Sequence, residues 1–586
     1  MQAFPPAPRL HSHGFRFRLY SSEFVFLCYD FYYVVFVHLL DCLFNSGEIM
    51  AYRGIIGLSV FFKRKLLNAA VGVRLEKASR VRVAGCRIHD LGYYEGSGVD
   101  GVASCTDCSV EDCDIWNTGS HGVHLRAPAM PGLTRCGNRV ANCYIHHTGW
   151  VNKHGVGVMV SGQGATVEHN LIHDTPRNAI FHGGRLHAIR FNRVRHTNLE
   201  MEDTGAIYTG GWTSGQGTRI TDNWISDSIG FGKTKGRFHH YHTAHGIYMD
   251  ECSSDALIAG NLVERCHDGG IYLHNGRYNT VSNNLLVLNG AWQMDLTGWN
   301  DTPDGYFVKI RQPECVKVWE KVTKRCPELK EAFPSLSYSP AGRTPFLSDG
   351  RTMRGNRIVN NVCWSVGEPG VKFLKVKDFT PAANPTGPNL YWNGTNATFG
   401  ISWDKRLSFD EWKATGADVT SVSADPLIAD PAHGDYRFDP KSPAIAMGFR
   451  PFDWTDSGVL ASDPAWVRKA TDETWDAFED APKAPRYLIE RAEMDFERFP
   501  VGPLRDGMGG MLPLNTMMGK PGGLSFTDKD VAQGRRALVF TDTPENAHSF
   551  CPHVSLPCCV TGGTAVIRFA FKPVKSTGMT FEARDY

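Results

Sequence analysis

The feature that most constrains this chain is an asparagine that keeps returning at the head of a short apolar run. It opens NCYIHHTG at Asn142, NLIHDT at Asn170, NRVRHT at Asn192, NWISDS at Asn223, NLVERC at Asn261, NLLVLNG at Asn284 and NVCWSVG at Asn361, with Asp112 standing in for it in DCDIWNTG. Up to Asn284 the returns come at roughly 22 to 38 residues, the period of a solenoid. Each unit holds short β-branched runs bounded by Gly and Asn, with no helical periodicity, so the unit is a coil of strands rather than a helical hairpin. The expected fold is therefore all-β, a right-handed parallel β-helix. Asparagine suits the recurring turn because it tolerates the left-handed region, and its amide can bond to the equivalent amide one coil away. The asparagines are read as structural.

The same pattern sets the boundaries. Residues 1–66 do not share it and stay unassigned. Arg16 and Arg18 before the apolar stretch Phe24–Phe44 give the outline of a signal peptide, but Asp30, His38 and Asp41 interrupt it and no small-residue cleavage site follows. An atypical cap or a mis-assigned start is the expectation there. The β-helix is expected over 67–455, closed by SFDEWKATGADVTSVSADPLIAD at Ser408–Asp430. An insertion between Asn300 and about Ser348 should carry a short amphipathic helix with Val316, Trp319, Val322 and Leu329 on one face. Insertions in solenoids emerge from one face, often the binding face. Residues 456–485 are charged, contain proline and read as a linker. From 486 to 586, strands such as GRRALVF and TAVIRFAFKPV suggest a jelly-roll-like β-sandwich, partial because the chain stops at Tyr586 soon after the last of them.

Charge and cysteine content exclude several classes. With 62 Lys plus Arg against 61 Asp plus Glu the net charge is +1, so no electrostatic footprint for nucleic acid exists. No charge-free run of 18 apolar residues suggests a membrane span. Cys86, Cys113 and Cys143 recur at one repeat position, which favours a buried column of thiols over a disulfide framework. Cys105-x-x-Cys108 lacks a second ligand pair, and the histidine-rich HHYHTAH at 239–245 reads as a loop contacting substrate or as functionless, so no metal site is expected.

Chemistry is expected where three coils share a strand: Ala206-Ile207-Tyr208, Ile247-Tyr248-Met249 and Ile271-Tyr272-Leu273. Taking Gly122, Gly157, Asn178, Gly205, Gly246 and Gly270 as origins, the fourth residue onward is Arg126, Ser161, His182, Thr209, Asp250 and His274. Equivalent positions stack about 4.7–4.9 Å apart in a parallel β-helix, so His182, Thr209, Asp250 and His274 would face one ligand, flanked by Asn275 and Arg277. Tyr208 and His245 join them as substrate-binding candidates. Asp250 and Glu251 at a strand exit, with Glu200, Glu202 and Asp203 before the previous strand, supply carboxylates for a glycosidase pair, which stands about 5 to 9.5 Å apart. On straight strands Asp203 and Asp250 would be offset by roughly 20 Å, so a sharp corner must bring them together.

The stretches DTGAIYTGG, HGIYMDE, GGIYLHNGRYNTVSNN and SFDEWKATGADVTSVSADP resemble bacterial right-handed β-helix carbohydrate-active proteins, most closely glycoside hydrolase family 141, over roughly residues 71–450. The resemblance implies hydrolysis of glycosidic bonds in plant polysaccharides such as pectin side chains or xylan, with aspartates at these strand exits as catalysts. Asp250 matches the first acid of the family's Tyr-x-Asp-Asp pattern and Glu251 the second. Relatives often read Gly-Arg-Asp after the Ala-Ile-Tyr strand; here the chain reads Gly210-Gly211-Trp212 with no carboxylate, so if that acid is the family's partner the protein is either inactive or different in action, or the partner role falls to Asp203.

A glycoside hydrolase with catalytic Asp250, Asp203 and Glu251 and no required cofactor is thus the leading expectation. A polysaccharide lyase or epimerase on the same scaffold, with Arg277 or His274 as base and usually calcium, is the first alternative. A non-catalytic polysaccharide-binding protein is the second. All three act on a polysaccharide or oligosaccharide and place the protein in an extracellular or periplasmic setting.

Overall fold

The structure is a computed structural model that describes residues 71–91, 96–234, 237–366, 372–394 and 406–460, with short stretches on either side. Strands repeat in threes along the chain and build three long sheets, of 13, 11 and 11 strands. Within the coils every pairing is parallel, as between Val123–Arg126 and Val158–Gln163 of the first sheet, Arg139–Ala141 and Thr166–Glu168 of the second, and Tyr144–His146 and Leu171–His173 of the third. This is the expected all-β, right-handed parallel β-helix. Parallel stacking also reaches back before residue 67, because Glu48–Ala51 pairs with Val73–Glu76 and Leu58–Phe61 with Val81–Ala84.

Only two residues separate the second sheet from the third, and they explain the asparagines. The first adopts the left-handed conformation in successive coils: Asp112, Asn142, His169, Phe191, Asp222, Asn283 and Asn360 have φ between 51° and 58°, and Gly260, between Asp222 and Asn283, has φ 70°. The second points inward. From Asn170 onward it is asparagine, and the amides join in a ladder of Nδ2-to-Oδ1 bonds: Asn170 to Asn192 at 2.9 Å, Asn192 to Asn223 at 3.0 Å, Asn223 to Asn261, Asn261 to Asn284 and Asn284 to Asn361 at 2.9 Å each. It runs on through Asn389 to Asp418. Asp112 and Asn142 belong to the outer position, bonded to each other at 2.7 Å, one residue before the ladder. In their coils the inward position is Cys113 and Cys143, preceded by Cys86, all buried. The thiol column and the asparagine column are one column, which changes residue type where the core can accept an amide.

Burial makes the ladder costly to interrupt, since a buried amide deprived of its partner loses about 1–3 kcal/mol. Asn223→Ala would orphan donors on Asn192 and the acceptors of Ile189 and Asn261. We expect it to lower stability by about 3 kcal/mol, read as a fall in the thermal unfolding midpoint.

Six consecutive strands of the first sheet carry the rest of the account: β1 (Ile180–Arg185), β2 (Thr204–Gly210), β3 (Ala244–Asp250), β4 (Gly269–His274), β5 (Trp292–Thr297) and β6 (Lys372–Lys377). Ile180, Ile207, Ile247, Ile271, Met294 and Leu374 stack in register inside the core. Gly246 before this row has no room for a side chain, because a Cβ there would collide with Val263 of the third sheet.

The insertion forms helix α1 (Gln312–Arg325) after a wider helical turn at Phe307–Arg311. Phe307, Cys315, Cys326, Leu329 and Leu336 pack with Trp212 and Cys252, so the insertion stands on the exits of β2 and β3. At the far end the helix Phe409–Ala414, with a capping box between Ser408 and Glu411, drops Trp412 into the core, where its Nε1 donates to Asp418 at 2.8 Å. No described helix is long and apolar enough to cross a membrane. The linker expected at 456–485 lies outside the described residues except at its first positions. In the last region the described strands pair antiparallel: Leu524–Thr527 with Gly502–Pro503 and Ala537–Phe540, and Asn515–Met517 with His553–Ser555. The strand expected at Thr564–Val574 lies outside the described residues.

Candidate active site

A strand side chain alternates faces with every residue, so register decides which residues meet. On the outer face Tyr208, Tyr248, Tyr272, Asp295 and Lys375 stand in one row across β2 to β6. Two residues further along, the outer row reads Gly210 and Asp250, then His274 and Thr297. Asp250 and His274 were expected on this face and are there.

His182 and Thr209 are not. Ile180 pairs with Ile207 and Ile207 with Ile247, so the true origins in those coils are Ala179 and Ala206, one residue later than Asn178 and Gly205. The slip moves both residues to the inner face, where Thr209 opposes Met249 and both are fully buried. Burial holds the His182 imidazole far below its ordinary value, and neither of its ring nitrogens has a hydrogen-bond partner. Arg277 is also enclosed. Its guanidinium lies 3.5 Å from the Trp212 ring centroid, and Nη2 donates to the Cys252 carbonyl at 3.3 Å. Asn275 is buried beside it, donating to Cys252 Sγ at 3.2 Å. None of these four reaches the outer face. Trp212 is thus the bridge between Arg277 and the inserted segment.

The Asp250 carboxylate is the best-connected group of the site. His274 Nδ1 lies 2.7 Å from Oδ1, the Glu251 backbone N–H donates to Oδ1 at 2.7 Å, and the Tyr208 hydroxyl donates to Oδ2 at 2.7 Å. Burial pushes Asp250 up, but bonds from His274, Tyr208 and Tyr248 outweigh it and hold the carboxyl below its ordinary value. Burial pulls His274 down, and Asp250 more than offsets it and raises the imidazole.

Asp203 meets this cluster through one phenol. Tyr248 Oη lies 3.3 Å from Asp203 Oδ1 and 3.4 Å from His274 Nδ1, the nitrogen that lies 2.7 Å from Asp250 Oδ1. Two carboxyls linked by this short chain of contacts are no more than roughly 9 Å apart. The required corner is real. Asp203 adopts a left-handed φ of 51°, and the chain then doubles over the tyrosine row so closely that a Cβ on Gly205 would sit 2.7 Å from Tyr248 Cβ. Burial, then the charge of Asp250, raises Asp203 above its ordinary value, by an amount limited by its exposed position at the rim. Glu251 is raised by burial and by Asp250, but Arg311 of the insertion pairs with it directly. Of the three expected acids, Asp203 and Asp250 are linked through Tyr248 and His274, and Glu251 is tied to the insertion.

His245 sits beneath the tyrosines, fully buried, with its ring centroid 5.1 Å from that of Tyr248 and 4.7 Å from that of Tyr272. Burial brings it to about 4, so it is a neutral support and not a surface contact. In the preceding loop His242 pairs with Glu202 at 2.7 Å. Glu200 pairs with Lys153 at 2.8 Å.

Several residues at the candidate site carry no expectation from the sequence. Tyr248 and Tyr272 occupy the same repeat position as Tyr208, which was signal enough. Asp295 and Lys375 form a buried ion pair at 2.6 Å beside Tyr272. Trp299 packs edge-on against His274 at 4.9 Å and reaches the exposed Tyr306 at 5.3 Å. A pocket of about 390 Å³ lies elsewhere, on the second sheet beside Asp222, Asn283 and Arg450, with a single carboxylate in its lining.

Comparison with known proteins adds the following. The model of the right handed beta helix region family matches residues 45–194, ending before Asp203. No curated protein matches the chain in sequence. Among solved structures, a glycoside hydrolase is similar at 17% identity and a TM-score of 0.28, covering 38% of this chain and 36% of its own. The Azotobacter vinelandii mannuronan C-5 epimerase AlgE6 A-module is similar at 12% identity and a TM-score of 0.31, covering 65% and 88%. The PL6 family polysaccharide lyase Pedsa3628 from Pseudopedobacter saltans is similar at 11% and 0.27, covering 68% and 96%. The chain spans little more than a third of that glycoside hydrolase, and none of these likenesses bears on what it does.

Proposed function

We propose that the protein is a glycoside hydrolase of complex polysaccharides in which Asp203 is the general acid and Asp250 its ionised partner. The observation that carries this reading is the pair itself: two carboxyls linked through Tyr248 and His274, one raised and one lowered by their surroundings. Environments that push two acids apart assign the proton, here to Asp203. The protonated acid delivers its proton to the leaving glycosidic oxygen. Asp250 then either attacks the anomeric carbon or activates the water that does, and a separation of no more than roughly 9 Å admits the spacing such pairs use.

Hydrogen bonds from Tyr208 and His274 fix the rotamer of Asp250 and keep it ionised. Trp299 and the exposed Tyr306 offer aromatic faces on which a sugar ring can lie at the edge of the site. No described residue of the pair needs a metal to hold its charge. A polymer substrate implies work outside the cytoplasm, and the resemblance to family 141 suggests pectic or xylan chains. The reading is tested by incubating the full chain with pectic, xylan and fucosylated glycans. New reducing ends without an unsaturated, ultraviolet-absorbing product support hydrolysis; unsaturated ends favour a lyase, for which Arg277, buried behind Trp212, is not an available base.

A further inference from the structure

A second cluster lies at the exits of the third sheet, in the three coils before Asp203. Register places His146 beside His173 on adjacent strands, and the turn residues that follow are His147, Asp174 and His196, one per coil. All three turn residues are left-handed, with φ of 51°, 50° and 45°, so their side chains leave the stack in parallel about one strand spacing apart. Three imidazoles surround one carboxylate. His173 Nδ1 lies 2.7 Å from Asp174 Oδ2, His147 Nε2 lies 3.7 Å from the same oxygen, and His196 Nδ1 lies 3.7 Å from Oδ1.

We infer that His147, His173 and Asp174, flanked by His196, form a binding site for a divalent transition-metal ion of the zinc type. One ligand atom from each of the first three already lies within 4.8 Å of the others. Imidazole nitrogen and carboxylate oxygen are the donors zinc takes, at about 2.0–2.2 Å. A preference of left-handed turns for Asp, Asn and His explains residue types at 147, 174 and 196. It does not explain His173, which is a strand residue, buried, with its ring turned onto Asp174.

The outer shell gives the independent support. Metal-binding histidines characteristically engage their other ring nitrogen with a polar partner that fixes tautomer and orientation. His173 Nε2 lies 2.9 Å from the hydroxyl of buried Tyr144, leaving Nδ1 toward Asp174. His147 Nδ1 lies 2.9 Å from His146 Nδ1, leaving Nε2 toward the same carboxylate. The proton between His173 Nδ1 and Asp174, 2.7 Å apart, is the one an ion would displace, while Nε2–H of His173 donates to Tyr144 and Nδ1–H of His147 to His146. The side chain of His147 is 39% exposed, so an ion has a path from solvent. His196 or water would complete the coordination.

The test uses untagged full-length protein stripped with a chelator and titrated calorimetrically with zinc, with cobalt as a spectroscopic probe. Wild type should take up zinc at this site, show the visible absorption of cobalt in a low-symmetry nitrogen and oxygen environment, and melt at a higher temperature with metal than without. His147→Gln and Asp174→Asn should each weaken binding at least tenfold and abolish the metal-dependent melting shift, with metal-free melting of the exposed His147 variant unchanged. His240→Ala, in the histidine-rich loop, should bind as wild type does. Absence of zinc binding in wild type, or binding undiminished in the His147 and Asp174 variants, would overturn the inference. Neither outcome bears on glycan hydrolysis, which is read separately.

Discussion

Asp250→Asn is expected to lower kcat by about 10³-fold or more on any glycan the wild type cleaves, within the upper range for a positioned proton-transfer group. The substitution keeps the shape and removes the charge. Its neighbours make the loss specific: His274 would lose the anion that raises it, and Tyr208 the acceptor 2.7 Å away. Glycan affinity should change far less than turnover, because Trp299 and Tyr306 are untouched. A binding protein without catalysis would show retained affinity and no turnover in either form, so parallel kcat and equilibrium-binding measurements separate the two readings.

Asp203→Asn is expected to cost about 10²- to 10⁴-fold on a natural glycan, and much less on an aryl glycoside whose phenolate leaves without a proton. That contrast identifies a general acid. The pH profile follows from the same assignment. Asp250 works ionised, and its carboxyl is held low, so activity should persist well into acid and fall only when it protonates. Asp203 works protonated, and its carboxyl is raised, so activity should fall as pH rises through that value. The optimum is therefore expected on the acid side of neutrality, and Asp203→Asn should remove the alkaline limb alone. Rate profiles of both forms on the natural glycan check it.

The solenoid was legible because one turn repeats: a left-handed residue followed by an inward asparagine forces coil after coil into the same corner. The same regularity misled where a coil substitutes. Cys143 hid the ladder position, so Asn142 was taken for it. Asn178 and Gly205 look like the glycines that begin other strands, yet the sheet uses Ala179 and Ala206. With a period of two, that single step exchanged inside for outside and put His182 and Thr209 in the core. Asp250 and His274 survived because their own coils were aligned correctly. Contacts such as Arg311 on Glu251, or Lys375 on Asp295, join residues about 60 and 80 positions apart through the insertion and the coil after it. Nothing in the local pattern of either segment announces its partner.

The central claim is that water cleaves a glycosidic bond at the Asp203 and Asp250 pair. Cleavage of a responsive glycan in heavy-oxygen water, with the products weighed by mass spectrometry before the new ends exchange, tests it most directly. The predicted result is one heavy oxygen at each new reducing end with wild type and no product with Asp250→Asn. Unlabelled products bearing an unsaturated sugar, or labelled products formed undiminished by the Asp250 variant, would contradict it.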